Sequence, residues 1–279
     1  MRWSPFFSIT RPVNSSMAGL AGVLGYLIAT GTITLHSLVL LPVVALITAA
    51  GNVLNDYYDA EIDAVNRPDR PIPAGKVSRE AARNFAIVLF VAGNVLCLLT
   101  NYLCLAIVVF NSILLAVYAR YLKRTPAGGN VAVAYLTGSI FLFGGAFIGV
   151  SGLVRNFSVF AITLLATMTR ELLKAAEDVE GDRRGGARTL PAWIGVPSTV
   201  RIALFFAIVA VVVSLLPTDT WTGLVYYGGI ILVDGAILFS AVLPFHCTTG
   251  ACVRRTKATS YLKGAMFAAL AVFTVAAIL

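Results

Sequence analysis

Nine stretches of about 18–23 apolar residues, separated by short polar connections, dominate this chain of 279 residues and dictate its solvent. They run at about 16–34, 37–55, 83–100, 102–121, 130–150, 157–176, 198–216, 221–243 and 260–279. Each is long enough to cross a hydrocarbon layer about 30 Å thick as a helix rising 1.5 Å per residue. Alternation of the kind that builds membrane β-barrels does not appear, so every span is predicted helical. Arg79, Glu80 and Arg83 precede the third span, Lys123-Arg124-Thr125-Pro126 follows the fourth, and Pro217 follows the seventh. No small-residue cleavage site follows the first span, which is read as a retained helix rather than a signal peptide. Composition agrees: 12% of residues are charged and 58% hydrophobic, with mean hydropathy +0.87. A soluble domain carries about 25% charged residues, so a soluble enzyme, a disordered chain and a disulfide-stapled secreted domain are excluded. The expectation is an all-α membrane protein of nine transmembrane helices forming one domain, residues 1–279.

The charges orient the bundle. With nine spans, the N-terminus and the second, fourth, sixth and eighth loops share one side. That side holds 20 of the 21 Lys and Arg residues, Arg155 being the exception. Such asymmetry predicts a cytoplasmic N-terminus and a multi-pass protein of the cell membrane with its long loops in the cytoplasm. It also accounts for the net charge of +8 without nucleic acid.

Acidic residues are less expected on a basic face, yet 11 of the 13 fall in two clusters there, Asp56–Glu80 and Glu171–Asp182. In the first, Asn55, Asp59 and Asp63 are spaced i, i+4, i+8 and line one helix face. In the second, Glu171, Lys174, Asp178 and Asp182 fall at i, i+3, i+7, i+11, again a single stripe. Carboxylates one turn apart repel each other, and a hard divalent cation offsets that repulsion. Mg²⁺ takes oxygen ligands and is commonly held by one or two carboxylates together with substrate phosphates. Two such stripes facing each other would form half-sites for a metal-bridged diphosphate; the plain alternative is a pair of solvated helix ends. Between them, Asn66–Lys76 contains Pro68, Pro71, Pro73 and Gly75, which forbid a regular helix. Its Arg67, Arg70 and Lys76 are donors suited to phosphate oxygens, or else basic residues of a rigid cytoplasmic turn.

These motifs resemble the UbiA superfamily of intramembrane prenyltransferases. The family's N-D-x-x-D-x-x-x-D is matched by Asn55, Asp56, Asp59 and Asp63, and its later D-x-x-x-D by Asp178 and Asp182. The likeness extends through Arg11-Pro12-Val13-Asn14, the Arg-Pro-rich loop, Tyr121–Pro126 and Gly129-Asn130, and so covers most of the chain. It implies nine helices around a central cavity with the acidic motifs on opposite walls. It also implies Mg²⁺ held by Asn55, Asp59, Asp63, Asp178 and Asp182, with a prenyl diphosphate as donor. Arg170-Glu171, Lys174, Glu177–Asp182 and Arg188–Pro191 are most similar to the archaeal members that form the second ether bond of archaeal lipid. Those members transfer a geranylgeranyl group to geranylgeranylglyceryl phosphate, a lipid-like phosphorylated acceptor. Ala175-Ala176 departs from that subgroup, where Asp and a larger apolar residue are expected.

The resemblance implies substrate contacts at Arg11, Asn14, Arg67, Arg70, Lys123 and Asn130, with Lys174 serving either the diphosphate or the acceptor's phosphate. Tyr118 and Tyr121 would turn ring faces to an allylic cation, or sit as interfacial aromatics. The acceptor's proton would go to Glu171 or to released diphosphate. Asp234, mid-way along the eighth span, is expected to contact acceptor or cavity, or else to make a buried structural hydrogen bond. The first case predicts that its mutation damages activity more than folding. His246, Cys247 and Cys252 fall short of the four ligands of a structural zinc site. Cys97 and Cys104 lie near the outer face, where an even count alone does not imply a disulfide. Gly144-Gly145 and Gly228-Gly229 suit close helix packing. An aromatic acceptor, as in quinone or chlorophyll biosynthesis, is the rival within the family. A cation- or lipid-binding transporter is the rival outside it, although both acidic patches lie on one side rather than at the midplane. The D-G-x-x-A-R pattern of phosphatidyl transfer from a CDP-alcohol is absent.

Overall fold

A computed structural model describes residues 4–184, 188–216 and 223–279, the side chains of residues 66 and 184 aside. Pro217, Asp219 and the first two residues of the eighth predicted span lie outside them. Among the described residues, nine helices are long and apolar enough to cross a membrane. They are α2 (Pro12–Thr30), α3 (Leu40–Asn66), α4 (Arg79–Cys97), α5 (Tyr102–Arg120), α6 (Gly128–Ala146), α7 (Val150–Arg184), α9 (Val196–Ser214), α10 (Leu224–Val242) and α12 (Ala258–Ile278). Short helices α1 (Pro5–Ile9), α8 (Leu190–Ile194) and α11 (Gly250–Thr256) lie between them, all at the end of the bundle that carries the acidic clusters.

The predicted spans and the helices correspond one to one, and the largest differences have a cause. α7 starts at Val150, ahead of the predicted 157, because its polar first turns find partners inside the bundle. Buried Asn156 donates to the carbonyls of Gly25 and Phe141, both at 2.7 Å, and Arg155 donates to Ala29 O at 2.9 Å. α3 and α7 also run on past their apolar stretches, to lengths of about 40 and 50 Å at 1.5 Å per residue. Both exceed a hydrocarbon layer, and the excess carries the acidic stripes out of one end.

Packing is tightest around α6. A Cβ on Gly144 would lie 2.5 Å from both Gly22 O and Tyr26 N, so the α2 and α6 backbones touch where only glycine fits. Gly145 packs as closely on α7, and Gly229 against Val272, whereas Gly228 faces open space. One buried cluster joins α6, α7, α9, α10 and α12 around Leu172, Leu173, Ile230, Ile237 and Leu262; a second joins α2, α3, α5 and α6. Leu224, Leu232, Phe239, Val154 and Leu99 point outward, as lipid-facing residues do. Cys97 and Cys104 are buried free thiols. Cys247 and Cys252 instead form a disulfide that closes the turn into α11, a pairing the sequence reading did not anticipate.

Candidate active site

The last three turns of α3 carry the first acidic stripe, and the helix ends where Pro68 biases the preceding Arg67 out of helical backbone (φ −148°). Asp56, Asp59 and Asp63 share a face at i, i+3, i+7, and each carboxylate is matched to a cation of this chain. Lys123, in the 3-10 turn Leu122–Arg124 after α5, donates to Asp59 and, at 3.2 Å, to Asn55 Oδ1; Asn55 Nδ2 donates to Asp59 Oδ2 at 2.9 Å. Arg70 folds back from the proline-rich loop to reach Asp63 at 2.5 Å and Asp56 at 3.2 Å. Arg11 binds Asp56 at 2.6 Å. Arg11 itself holds a left-handed backbone (φ 50°) at the start of α2, a conformation uncommon outside glycine, and the Asp56 bond together with Pro12 helps hold it. Three acids and three cations make the cluster neutral without any other ligand.

The second stripe projects from α7. Here α11 and the start of α12 sort the acids by use: Gly250 N–H donates to Glu180 Oε1 at 2.8 Å and Thr259 to Glu177 Oε1 at 2.9 Å. A Cβ at Gly250 would lie 2.2 Å from Glu180 Oε2 and 2.8 Å from Ala176 O, so the close approach of α11 requires glycine. Glu177 and Glu180 are thereby structural. Among the described residues, Asp178 makes an exposed contact with Arg254 at 3.2 Å, of the kind worth little and easily displaced. Asp182 is half-buried, with exposed Lys174 close enough to act on its charge.

Tyr118 is half-buried near the end of α5, within electrostatic reach of Glu171, Asp59 and Arg11. Glu171 in turn accepts from Arg170 Nη1 at 2.7 Å. Beside this pair opens a cavity of about 420 Å³ between α2, α6, α7, α10 and α12. It is apolar along most of its length, with Asn14, Arg170, Glu171 and Lys263 among its polar lining.

The structure therefore gathers Asn55, Asp59, Asp63, Arg11, Arg70 and Lys123 into one cluster. Glu171 and Asn14 meet at the cavity, while Lys174, Asp178 and Asp182 stay on α7. Arg67 is exposed, and Asn130 is half-buried in the first turn of α6; neither joins the cluster through a hydrogen bond given by the structure. Tyr121 is exposed beneath the Arg120 guanidinium, 4.9 Å from its ring centroid, in the manner of an interfacial aromatic. Asp234 is the clearest departure from the expected substrate contacts. It is buried and accepts from Ser214 Oγ at 2.6 Å, while Tyr226 donates to Ser214 O at 2.7 Å. Ser214 ends α9 at the face opposite the acidic cluster, so this carboxylate makes the buried hydrogen bond that was the alternative. Sequence reasoning quoted Arg170 for its likeness without giving it a role, and passed over Arg254 and Lys263. The last two read as ordinary basic residues of the final loop and helix, and their neighbours on α7 are about 80–90 residues away in sequence.

Among the described residues, no three His, Cys, Asp or Glu side chains stand close enough to form a metal cage. The donor set of Asn55, Asp59, Asp63, Asp178 and Asp182 is nonetheless all oxygen and opens to one end of the bundle. It suits a hard cation whose remaining ligands come from water and substrate phosphate.

Residues 17–277 match the UbiA prenyltransferase family. The digeranylgeranylglyceryl phosphate synthase of Methanoculleus marisnigri is 59% identical over all of both chains. That of Methanoregula boonei is 51% identical over 98% of each. A solved structure of digeranylgeranylglyceryl phosphate synthase superposes with a TM-score of 0.87 at 34% identity, over 98% of each chain. A UbiA homologue from Archaeoglobus fulgidus bound to GPP and Mg²⁺ shares the fold, with a TM-score of 0.68 at 15% identity over 96% of this chain and 100% of its own. With the motifs, the nine-helix bundle and the full-length likeness in agreement, this chain belongs to the UbiA prenyltransferase family.

Proposed function

We propose that this protein transfers a geranylgeranyl group from its diphosphate to the free hydroxyl of geranylgeranylglyceryl phosphate, making the second ether bond of archaeal membrane lipid. The observation that carries this reading is a neutral cluster of metal-type carboxylates and phosphate-type cations, opening beside an apolar cavity. Such a cluster suits a diphosphate head and such a cavity suits a lipid. Full-length relatives at 59% and 51% identity that bear this activity in their names support it.

Asn55, Asp59 and Asp63 on α3, with Asp178 and Asp182 on α7, would hold Mg²⁺. Bound there, Mg²⁺ stabilises the negative charge that collects on the departing diphosphate. Lys123 and Arg70, released from the carboxylates, donate to the same phosphate oxygens and supply fixed positive charge where it develops. The Tyr118 ring, within electrostatic reach of Glu171 and Asp59, would border the reacting carbon. As the allylic C–O bond breaks, the acceptor hydroxyl bonds to that carbon, and its proton passes to Glu171, whose carboxylate is held by Arg170 Nη1 at 2.7 Å. The lysine and arginine asymmetry supports a cytoplasmic position for this end of the bundle.

The test is mass spectrometry of purified protein with Mg²⁺, geranylgeranyl diphosphate and two competing acceptors, geranylgeranylglyceryl phosphate and 4-hydroxybenzoate. The expected product is the diether phosphate, lost with EDTA and in Asp59→Ala. Prenylated benzoate would keep the family and overturn the acceptor; no product from folded protein would favour binding or transport.

A further inference from the structure

The cavity carries two cations that the acidic cluster does not use. Arg170 gives Nη1 to Glu171, but its Nε is buried with no hydrogen-bond partner. Nε and Nη2 form the edge of a guanidinium that matches two oxygens of one phosphate, so the edge best suited to that group is uncommitted. A buried donor left unpaired is costly, and such a group in a native protein calls for an acceptor. Lys263, in the second turn of α12, lines the same cavity. It has no ion pair among the described residues, and its Nζ lies 5.9 Å from the Phe267 ring centroid. Arg170, Lys263 and Glu171 are the charged residues of the lining, for a net charge of +1 in an otherwise mainly apolar chamber. None of Asn55, Asp59, Asp63, Asp178 and Asp182 lines it, so the chamber is distinct from the diphosphate head site, with Glu171 of the second stripe at its edge.

We propose that this chamber takes the acceptor, and that Arg170 and Lys263 together read its phosphate and set acceptor specificity. The ligand class is a single-chain glycerol ether bearing a phosphate monoester, its tail lying along Phe141, Ile162, Phe267 and Phe273. This assignment rests on the function proposed above and adds the residues that select the acceptor. It replaces Lys174, which, exposed like Lys263, does not line the chamber. A phosphate held at Arg170 also brings the nearby glycerol hydroxyl beside Glu171, the next residue and its ion-pair partner.

The experiment compares the parent protein in detergent with Lys263→Met, which keeps the aliphatic stem, with Lys263→Arg, and with Arg170→Lys. Binding of an alkylglycerol phosphate and of the corresponding alkylglycerol is followed by thermal shift without donor. Steady-state KM is then measured for acceptor and for donor. In Lys263→Met the binding midpoint and KM for the phosphate should rise about tenfold or more, a charge-assisted contact being lost. Donor KM should stay within about twofold, the preference for phosphate over alcohol should fall by the same factor as the binding, and Lys263→Arg should recover most of it. Equal losses on phosphate and alcohol, as a purely interfacial lysine would give, overturn the assignment, as does a raised donor KM with acceptor KM unmoved. A parent that binds the phosphate lipid, weakens in Lys263→Met, yet forms no product would sink the transferase reading and keep the phosphate site. A parent that turns over while Lys263→Met is unaltered would sink the site alone.

Discussion

In the structure Lys123 occupies Asp59, a carboxylate of the proposed metal site, so its removal should have opposite effects on two measurable quantities. Its ammonium bonds Asp59 and Asn55, with side-chain exposures of 13% for Lys123 and 20% for Asp59. A hydrogen bond to a charged group is worth about 1.5–3 kcal/mol when well shielded. Partial exposure lowers that, leaving about 1–2 kcal/mol that an arriving cation must displace. Lys123→Met removes this competitor, so Mg²⁺ affinity without substrate should rise about 5- to 30-fold at 1.4 kcal/mol per decade. The same variant loses a fixed positive charge at the leaving group, and turnover should fall roughly 100-fold. Thermal shift titrated with Mg²⁺ gives the first number and product formation at saturating Mg²⁺ the second. An unchanged Mg²⁺ midpoint, or parental turnover, would refute the view that Lys123 alternates between carboxylate and diphosphate.

Asp234→Asn should lower thermal stability with a loss of about 1–3 kcal/mol while leaving both KM values near parental, because its partner is Ser214 and not substrate; a selective loss of turnover would return Asp234 to the site. Gly144→Ala places a Cβ 2.5 Å from two backbone atoms and should cost about 1–3 kcal/mol by prising α2 from α6. A melting temperature equal to the parent's would show that the helices move apart freely. Opening the Cys247–Cys252 bridge, by reductant or by Cys247→Ser, frees a six-residue loop and should cost about 2 kcal/mol on chain-entropy grounds. The loss should appear as faster amide exchange in α11, and unchanged exchange there would mean the packing on α7 suffices without the bridge.

The sequence by itself determined the solvent, the helix count and the two acidic helices, because each is written in local patterns. Apolar runs of bilayer length read as spans wherever they occur, and Asn55-Asp59-Asp63 and Asp178-Asp182 each lie within a few turns of one helix. Which partners those residues take is set by tertiary contact. Arg70 and Lys123 stand 7 and 64 residues from the acids they bind, and Arg254 stands 76 from Asp178. Glu177 and Glu180 look equivalent to their acidic neighbours until α11 and the first turn of α12 pack against them and claim their oxygens. Asp234 gave an intramembrane charge in the sequence, whose costs are the same for a substrate contact and a structural bond; only the position of Ser214 separates the two. The uncommitted edge of Arg170 and the placement of Lys263 have no local signature, since both depend on α12 closing a cavity begun by α2, α6 and α7. Patterns along one helix are governed by a fixed 3.6-residue period, whereas partners between helices depend on how the bundle closes.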